Sequence, residues 1–130
     1  MAYCTSQDVN NLFGDISDDI TEEMFETVIT NSTSWINSNL RKRFVPIPGE
    51  TVGALRTAAI YYSASDILLS LYHGEELPVN YDIWFKKAQD ILDAYIIDYL
   101  NTEATAEEAE NLNMVKHSHS PTYRQKRRRL

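Results

Sequence analysis

Glycine and proline are scarce in this 130-residue chain, four of each, which argues against a fold built from many tight turns. The single cysteine, Cys4, excludes an internal disulfide. No apolar run approaches the roughly 20 residues that a membrane-spanning helix needs. The opening Met1-Ala2-Tyr3-Cys4-Thr5 has neither the basic nor the apolar region of a signal peptide, so the expected surroundings are cytosol-like. A glycine-rich phosphate loop, a Ser-His-Asp arrangement and a paired-carboxylate motif are all missing. Neither enzyme activity nor a cofactor is therefore expected.

Basic residues are few within the body of the chain. All 19 acidic residues lie between Asp8 and Glu110, against six cations in that stretch (Arg41, Lys42, Arg43, Arg56, Lys86 and Lys87), a net of −13. Residues 114–130 hold the other six cations (Lys116, Arg124, Lys126, Arg127, Arg128 and Arg129) and no acid. The formal net charge of −7 thus hides a polar molecule, and such asymmetry points to an interaction tail.

What is present reads as helix. Thr5 caps a short segment over 6–13, with Asp8 three residues on, stripe Val9, Leu12 and Phe13, and Gly14 placed to end it. Thr21 caps a second helix over 22–41, about 30 Å long. Glu22 and Glu23 stand in its first turn and Arg41-Lys42-Arg43 at its end, both favoured by the macrodipole. Met24, Phe25, Val28, Ile29, Ser32, Trp35, Ile36 and Leu40 (or Asn39) repeat at three- and four-residue steps.

Phe44-Val45-Pro46-Ile47-Pro48-Gly49 breaks the pattern, because each proline also restricts the residue before it. Thr51 is placed to cap a third helix running to about Tyr72. It is apolar on most sides and therefore suited to a bundle centre or a subunit contact. Asn80 is placed to cap a fourth helix over 81–100, with stripe Trp84, Ala88, Ile91, Tyr95 and Tyr99. The expectation is an all-α protein: a small bundle of about four helices over 1–101, an acidic linker or short helix over 102–113, and an extended basic arm over 114–130.

Candidate chemistry is thin. His117 and His119 stand two apart with no nearby ligand, which is poor zinc spacing. Asp15, Asp18, Asp19, Glu22 and Glu23 lack the ordered spacing and central glycine of a calcium loop. Asp90, Asp93 and Asp98 read as a solvated helix face. Cys4 has no neighbouring base in sequence and reads as a small apolar filler. The sharpest feature is the run Arg124, Lys126, Arg127, Arg128 and Arg129, preceded by Tyr123. Five cations in six residues bind phosphates or an acidic protein surface, with Tyr123 as an anchor.

The order of several pieces resembles the small head–tail connector proteins of tailed phages, also called adaptor or head-completion proteins. These pieces are Met1-Ala2-Tyr3-x-Thr5-x-x-Asp8-Val9, then Leu12-Phe13-Gly14, then Ile36-Asn37-x-x-Leu40-Arg41-x-Arg43 leading to Val45-Pro46, then Leu55-Arg56-x-Ala58-Ala59. They cover roughly residues 1–72, and the basic tail is no part of the pattern. The resemblance implies a structural virion protein at the head–tail junction, or neck, assembled in the host cytoplasm. There it forms a ring of copies of itself, typically a dodecamer, under the portal protein. Such a ring lines the channel for passing genomic DNA, without sequence specificity, and offers a docking surface to a stopper or tail-completion protein. No membrane is involved.

On that reading Tyr123, Arg124, Lys126, Arg127, Arg128 and Arg129 dock on the portal, and Arg41, Lys42 and Arg43 make possible contacts between subunits. The bland account of that trio is charge at a helix end. Two alternatives carry different expectations. A small nucleic-acid-binding regulator would use the basic tail to clamp phosphates, although the acidic body repels a duplex. An orphan bundle acting as inhibitor or scaffold would be monomeric.

Overall fold

In the computed structural model, residues 2–14, 19–72 and 76–114 are described, with side chains to residue 104. Four helices and no strand occur among the described residues: α1 (Ser6–Asn10), α2 (Glu22–Lys42), α3 (Gly53–Leu71) and α4 (Val79–Met114). The all-α bundle expected from the sequence is what forms. The chain divides into two compact units between Asp98 and Tyr99. The first holds α1, α2, α3 and the start of α4; the second holds the remainder of α4.

α1 begins with a complete capping box. The Asp8 N–H donates to Thr5 Oγ1 (3.2 Å) and the Thr5 N–H donates to Asp8 Oδ2 (3.0 Å). The helix stops at Asn10, earlier than the expected Phe13. Leu12 and Phe13 then donate to carbonyls only three residues back, Val9 and Asn10, the tighter pattern with which helices end. Gly14 follows with φ +58, a left-handed conformation that suits glycine. α2 keeps nearly its expected bounds. Thr21 Oγ1 accepts from the Met24 N–H (3.2 Å), and Phe25, Val28, Ser32, Ile36 and Leu40 are buried at steps of three and four.

Two expectations about helix starts are corrected. The N-cap of α3 is Val52, not Thr51, and no side chain caps it. The Val52 carbonyl accepts the first helical bond from Arg56, so the helix starts one residue too late for Thr51 to serve. Asn80 does not cap α4 either. The helix starts at Val79, directly after Pro78, which places Asn80 inside it. Nor does α4 stop at Leu100. It continues to Met114 through an alanine- and glutamate-rich stretch without glycine or proline, where propensity favours the helix.

The core lies where α2 and α3 meet. Ser32, Ser63, Ala58, Ala59 and Ala64 are fully buried, and such small residues permit close approach. Their hydroxyls are satisfied locally or across the interface. Ser32 donates to the Ile29 carbonyl (2.8 Å), Ser65 to Tyr62 (2.7 Å), and Ser63 reaches Val28 of α2 (3.4 Å). α1 packs on both helices. α4 is held through rings: Phe13 meets Trp84 edge-on at 5.3 Å, and Tyr62, stacked on Trp35 at 4.4 Å, also faces Phe85. Ala88, Leu92 and Ile96 complete the buried stripe of α4.

Asp8 joins α1 to α3. Arg56 Nη2 donates to its Oδ1 (2.6 Å) and Arg56 Nε to its Oδ2 (3.3 Å). The guanidinium, helped by the Thr5 backbone, holds the Asp8 carboxyl at about 2, below the ordinary 3.8. A carboxyl depressed in the folded state contributes stability above its unfolded pKa and loses it as pH falls through the folded value. Denaturation of the wild type is therefore expected to become easier between pH 4 and pH 2. Asp8→Asn is expected to flatten that acid limb and to cost about 1 kcal/mol at neutral pH. Urea melts at several pH values check both.

Candidate interaction surface

The segment predicted to dock on a partner, with Tyr123, Arg124, Lys126, Arg127, Arg128 and Arg129, lies outside the described residues, as do His117 and His119. The second candidate, Arg41, Lys42 and Arg43, is described. All three are exposed at the C-terminal end of α2, and none forms an ion pair among the described residues, where the ion pairs are Arg56–Asp8 and Lys86–Asp90. Arg41 is near enough to Tyr3 for its charge to act on that hydroxyl. Lys42 and Arg43 end the helix without such a neighbour.

The turn that follows is a Schellman motif. The Phe44 N–H donates to the Arg41 carbonyl (3.2 Å) and the Val45 N–H reaches back to Leu40 (2.8 Å), which is the paired bonding of that cap. Leu40 and Val45, the two residues that such a cap brings into apolar contact, are both buried. The geometry requires a left-handed residue between them, a position normally given to glycine or asparagine. Here it is Phe44, with φ +58, and it is the one non-glycine residue with positive φ among those described.

That residue is also 91% exposed. Burial does not offset the backbone cost, and the ring meets water. Pro46 is exposed and Ile47 is 38% exposed, so the corner offers apolar surface directly beside three cations. Sequence reading marked the trio of cations and the loop. The left-handed Phe44 was missed, and the only signal for it was an aromatic residue where a helix end calls for glycine.

A second exposed surface lies on α4, where Val79 (72%), Ile83 (53%) and Ile97 (51%) are exposed. α3, expected at a bundle centre or a subunit contact, packs against α1 and α2 and is largely buried, with Leu69 its exposed large apolar residue among those described. The acidic residues Asp90, Asp93 and Asp98 are exposed, as expected of a solvated face.

No group of three or more potential metal ligands occurs among the described residues, and no described helix is long and apolar enough to cross a membrane. Cys4 is buried, and burial pushes its thiol up to about 11 despite a hydrogen bond with Ser63. The framework residues are hydrogen-bonded to one another: the Tyr3 hydroxyl donates to Asn37 Oδ1, and Asp8 is bound by Thr5 and Arg56. Comparison of the chain with protein-family models, with curated proteins and with solved structures finds no match in any of the three.

Two measurements follow from this geometry. Phe44→Gly is expected to raise stability by roughly 0.5–1 kcal/mol, the relief of left-handed strain less the added unfolded-state entropy. A higher urea midpoint at unchanged slope reads it out. Cys4 is expected to resist thiol reagents in the native protein and to react at the rate of unfolding, since its thiolate is scarce and covered; a colorimetric disulfide reagent added with and without urea checks this.

Proposed function

We propose that this chain is a structural connector of a tailed phage, a helical subunit of the adaptor ring between the portal and the stopper or tail. The observation that carries the reading is the spatial pairing of the sequence pieces on which the resemblance rests. Tyr3 of the opening piece bonds Asn37 of the third, and Asp8 of the opening piece bonds Arg56 of the fourth. Pieces scattered over 1–72 thus form one connected framework, the behaviour of a fold signature rather than of coincidental helical devices.

Charge supports the same reading. A body with a net of −13 repels phosphate and lets DNA slide past without sticking. The basic run over 124–129 then supplies the attraction that the body lacks, directed at acidic grooves on the portal. Tyr123, Arg124, Lys126, Arg127, Arg128 and Arg129 are the docking residues on this account.

Electron microscopy of the purified chain mixed with candidate portal tests the proposal. The expected result is a ring added to the narrow end of the portal, lost when the chain is cut after Asn113. Equal docking by the truncated chain would reject the role given to the tail. Absence of any ring, together with duplex binding that weakens steeply with salt and vanishes on the same truncation, would replace the connector with a nucleic-acid-binding regulator.

A further inference from the structure

We propose that the corner formed by residues 41–47 docks on the outer face of α4 in a second copy of this chain. The proposal rests on the connector reading and names the two surfaces through which neighbouring subunits join.

The receiving surface is set by helix geometry. Val79, Ile83, Lys86, Asp90, Asp93 and Ile97 follow one another at steps of four and three, so they form a single stripe along α4. All six are exposed. The stripe runs opposite Trp84, Ala88, Leu92 and Tyr95, which face the bundle or its aromatic contacts. It spans about 27 Å at the helical rise. Its apolar residues stand at either end and its acids in the middle. Lys86 and Asp90 are joined only by a loose 3.8 Å exposed pair, and Asp93 forms no ion pair among the described residues. Among the described residues of one copy nothing covers this stripe.

The corner has the complementary pattern. Phe44 projects at 91% exposure with Ile47 beside it, and Arg41, Lys42 and Arg43 precede it without ion-pair partners among the described residues. An aromatic knob preceded by three cations suits a stripe whose central acids are bordered by apolar residues, apolar against apolar and cation against acid. The strain at Phe44 points the same way. A bulky residue held in the left-handed region while its ring lies in water weakens the isolated fold, and strain of that kind clusters at functional positions.

The occupant is a second copy rather than a duplex. Phosphates would satisfy the cations but leave Phe44, Ile47, Ile83 and Ile97 in water, and they would meet the acidic body. Because corner and stripe are different surfaces, the contact is head-to-tail, the kind that generates rings when its rotation closes.

Sedimentation velocity on the full chain over a concentration and salt series tests the inference. The wild type is expected to self-associate, more weakly as salt rises. Phe44→Gly, which keeps the fold, is expected to weaken association by at least about tenfold, as loss of an interface anchor does. Lys42→Glu with Arg43→Glu, and separately Asp90→Lys with Asp93→Lys, are expected to weaken it similarly. All four changes together are expected to restore it. A wild type that stays monomeric at every concentration, variants that associate like the wild type, or a fourfold variant no better than its halves would each overturn the proposal. So would a Lys42→Glu, Arg43→Glu variant that loses binding to a labelled duplex while its self-association is unchanged. Portal docking scored in parallel separates the two readings. Docking with no self-association removes this interface alone, and self-association with no docking removes the connector role alone.

Discussion

The close approach of α2 and α3 is the constraint on which the other contacts depend. Ser32, Ser63, Ala58, Ala59 and Ala64 leave little room between the two helices, and the serines avoid the cost of burial because each hydroxyl finds a carbonyl. Substituting a larger side chain there would overpack the interface and part the helices. α1 rests on the floor they make, and Cys4 is buried beside Ser63. α4 is held differently, by rings of Trp84 and Phe85 against Phe13 and Tyr62. Bulky side chains at a contact keep helix axes further apart than small ones do, so α4 is the outer member and its far side stays bare.

Charge then divides the surface. The acidic excess of the body has few cations to balance it, and the one close pair among the described residues, Arg56 with Asp8, serves to fasten α1 onto α3. Arg41, Lys42 and Arg43 are favourable where they stand because the carbonyl end of α2 attracts cations. That local account explains why they are tolerated, but it does not explain the next residue. Nothing in helix capping favours Phe44 at a left-handed position over glycine, so the physics of the fold and the identity of the residue disagree there. The same kind of disagreement occurs on α4, where Val79, Ile83 and Ile97 interrupt an otherwise polar outer stripe. Two departures from what the fold requires, one cationic and aromatic, the other acidic and aliphatic, are the features for which association provides a reason.

Legibility in the sequence followed the strength of local signals. α2 was readable nearly to the residue because Thr21, Glu22, Glu23 and Arg41 to Arg43 agree with its apolar repeat. α3 and α4 were readable as helices but not at their starts. Thr51 and Asn80 are both competent caps, and neither is used: α3 begins after Val52, and α4 begins at Val79, directly after Pro78. The length of α4 was hidden by the absence of a stripe past Leu100, although the lack of any breaker was visible. Of the candidate surface, the cations were legible and the anchor was not: φ at Phe44 depends on the bonds that close the Schellman turn, which no composition or period reveals. The outer stripe of α4 was concealed because a helix with apolar residues on both sides shows no clean period.

The residues that make the chain resemble connector proteins are framework residues. Tyr3 bonds Asn37, and Asp8 bonds Thr5 and Arg56, so these side chains are engaged within the fold. A pattern made of such residues reports how α1, α2 and α3 are locked, and it is silent on what the locked body touches. The information about partners therefore has to reside in the parts the framework leaves free: the corner at Phe44, the outer stripe of α4 and the basic run beyond residue 123. These differ in chemistry in a way that assigns them different tasks. The corner and the stripe match each other, apolar against apolar and cation against acid, so both are satisfied by more of the same chain. The basic run is too cationic to be matched by the few acids of the stripe, and it calls for a strongly anionic surface of another molecule. On the proposed reading, one self-complementary pair of surfaces joins copies of the chain and the surplus cationic arm is left for a different partner.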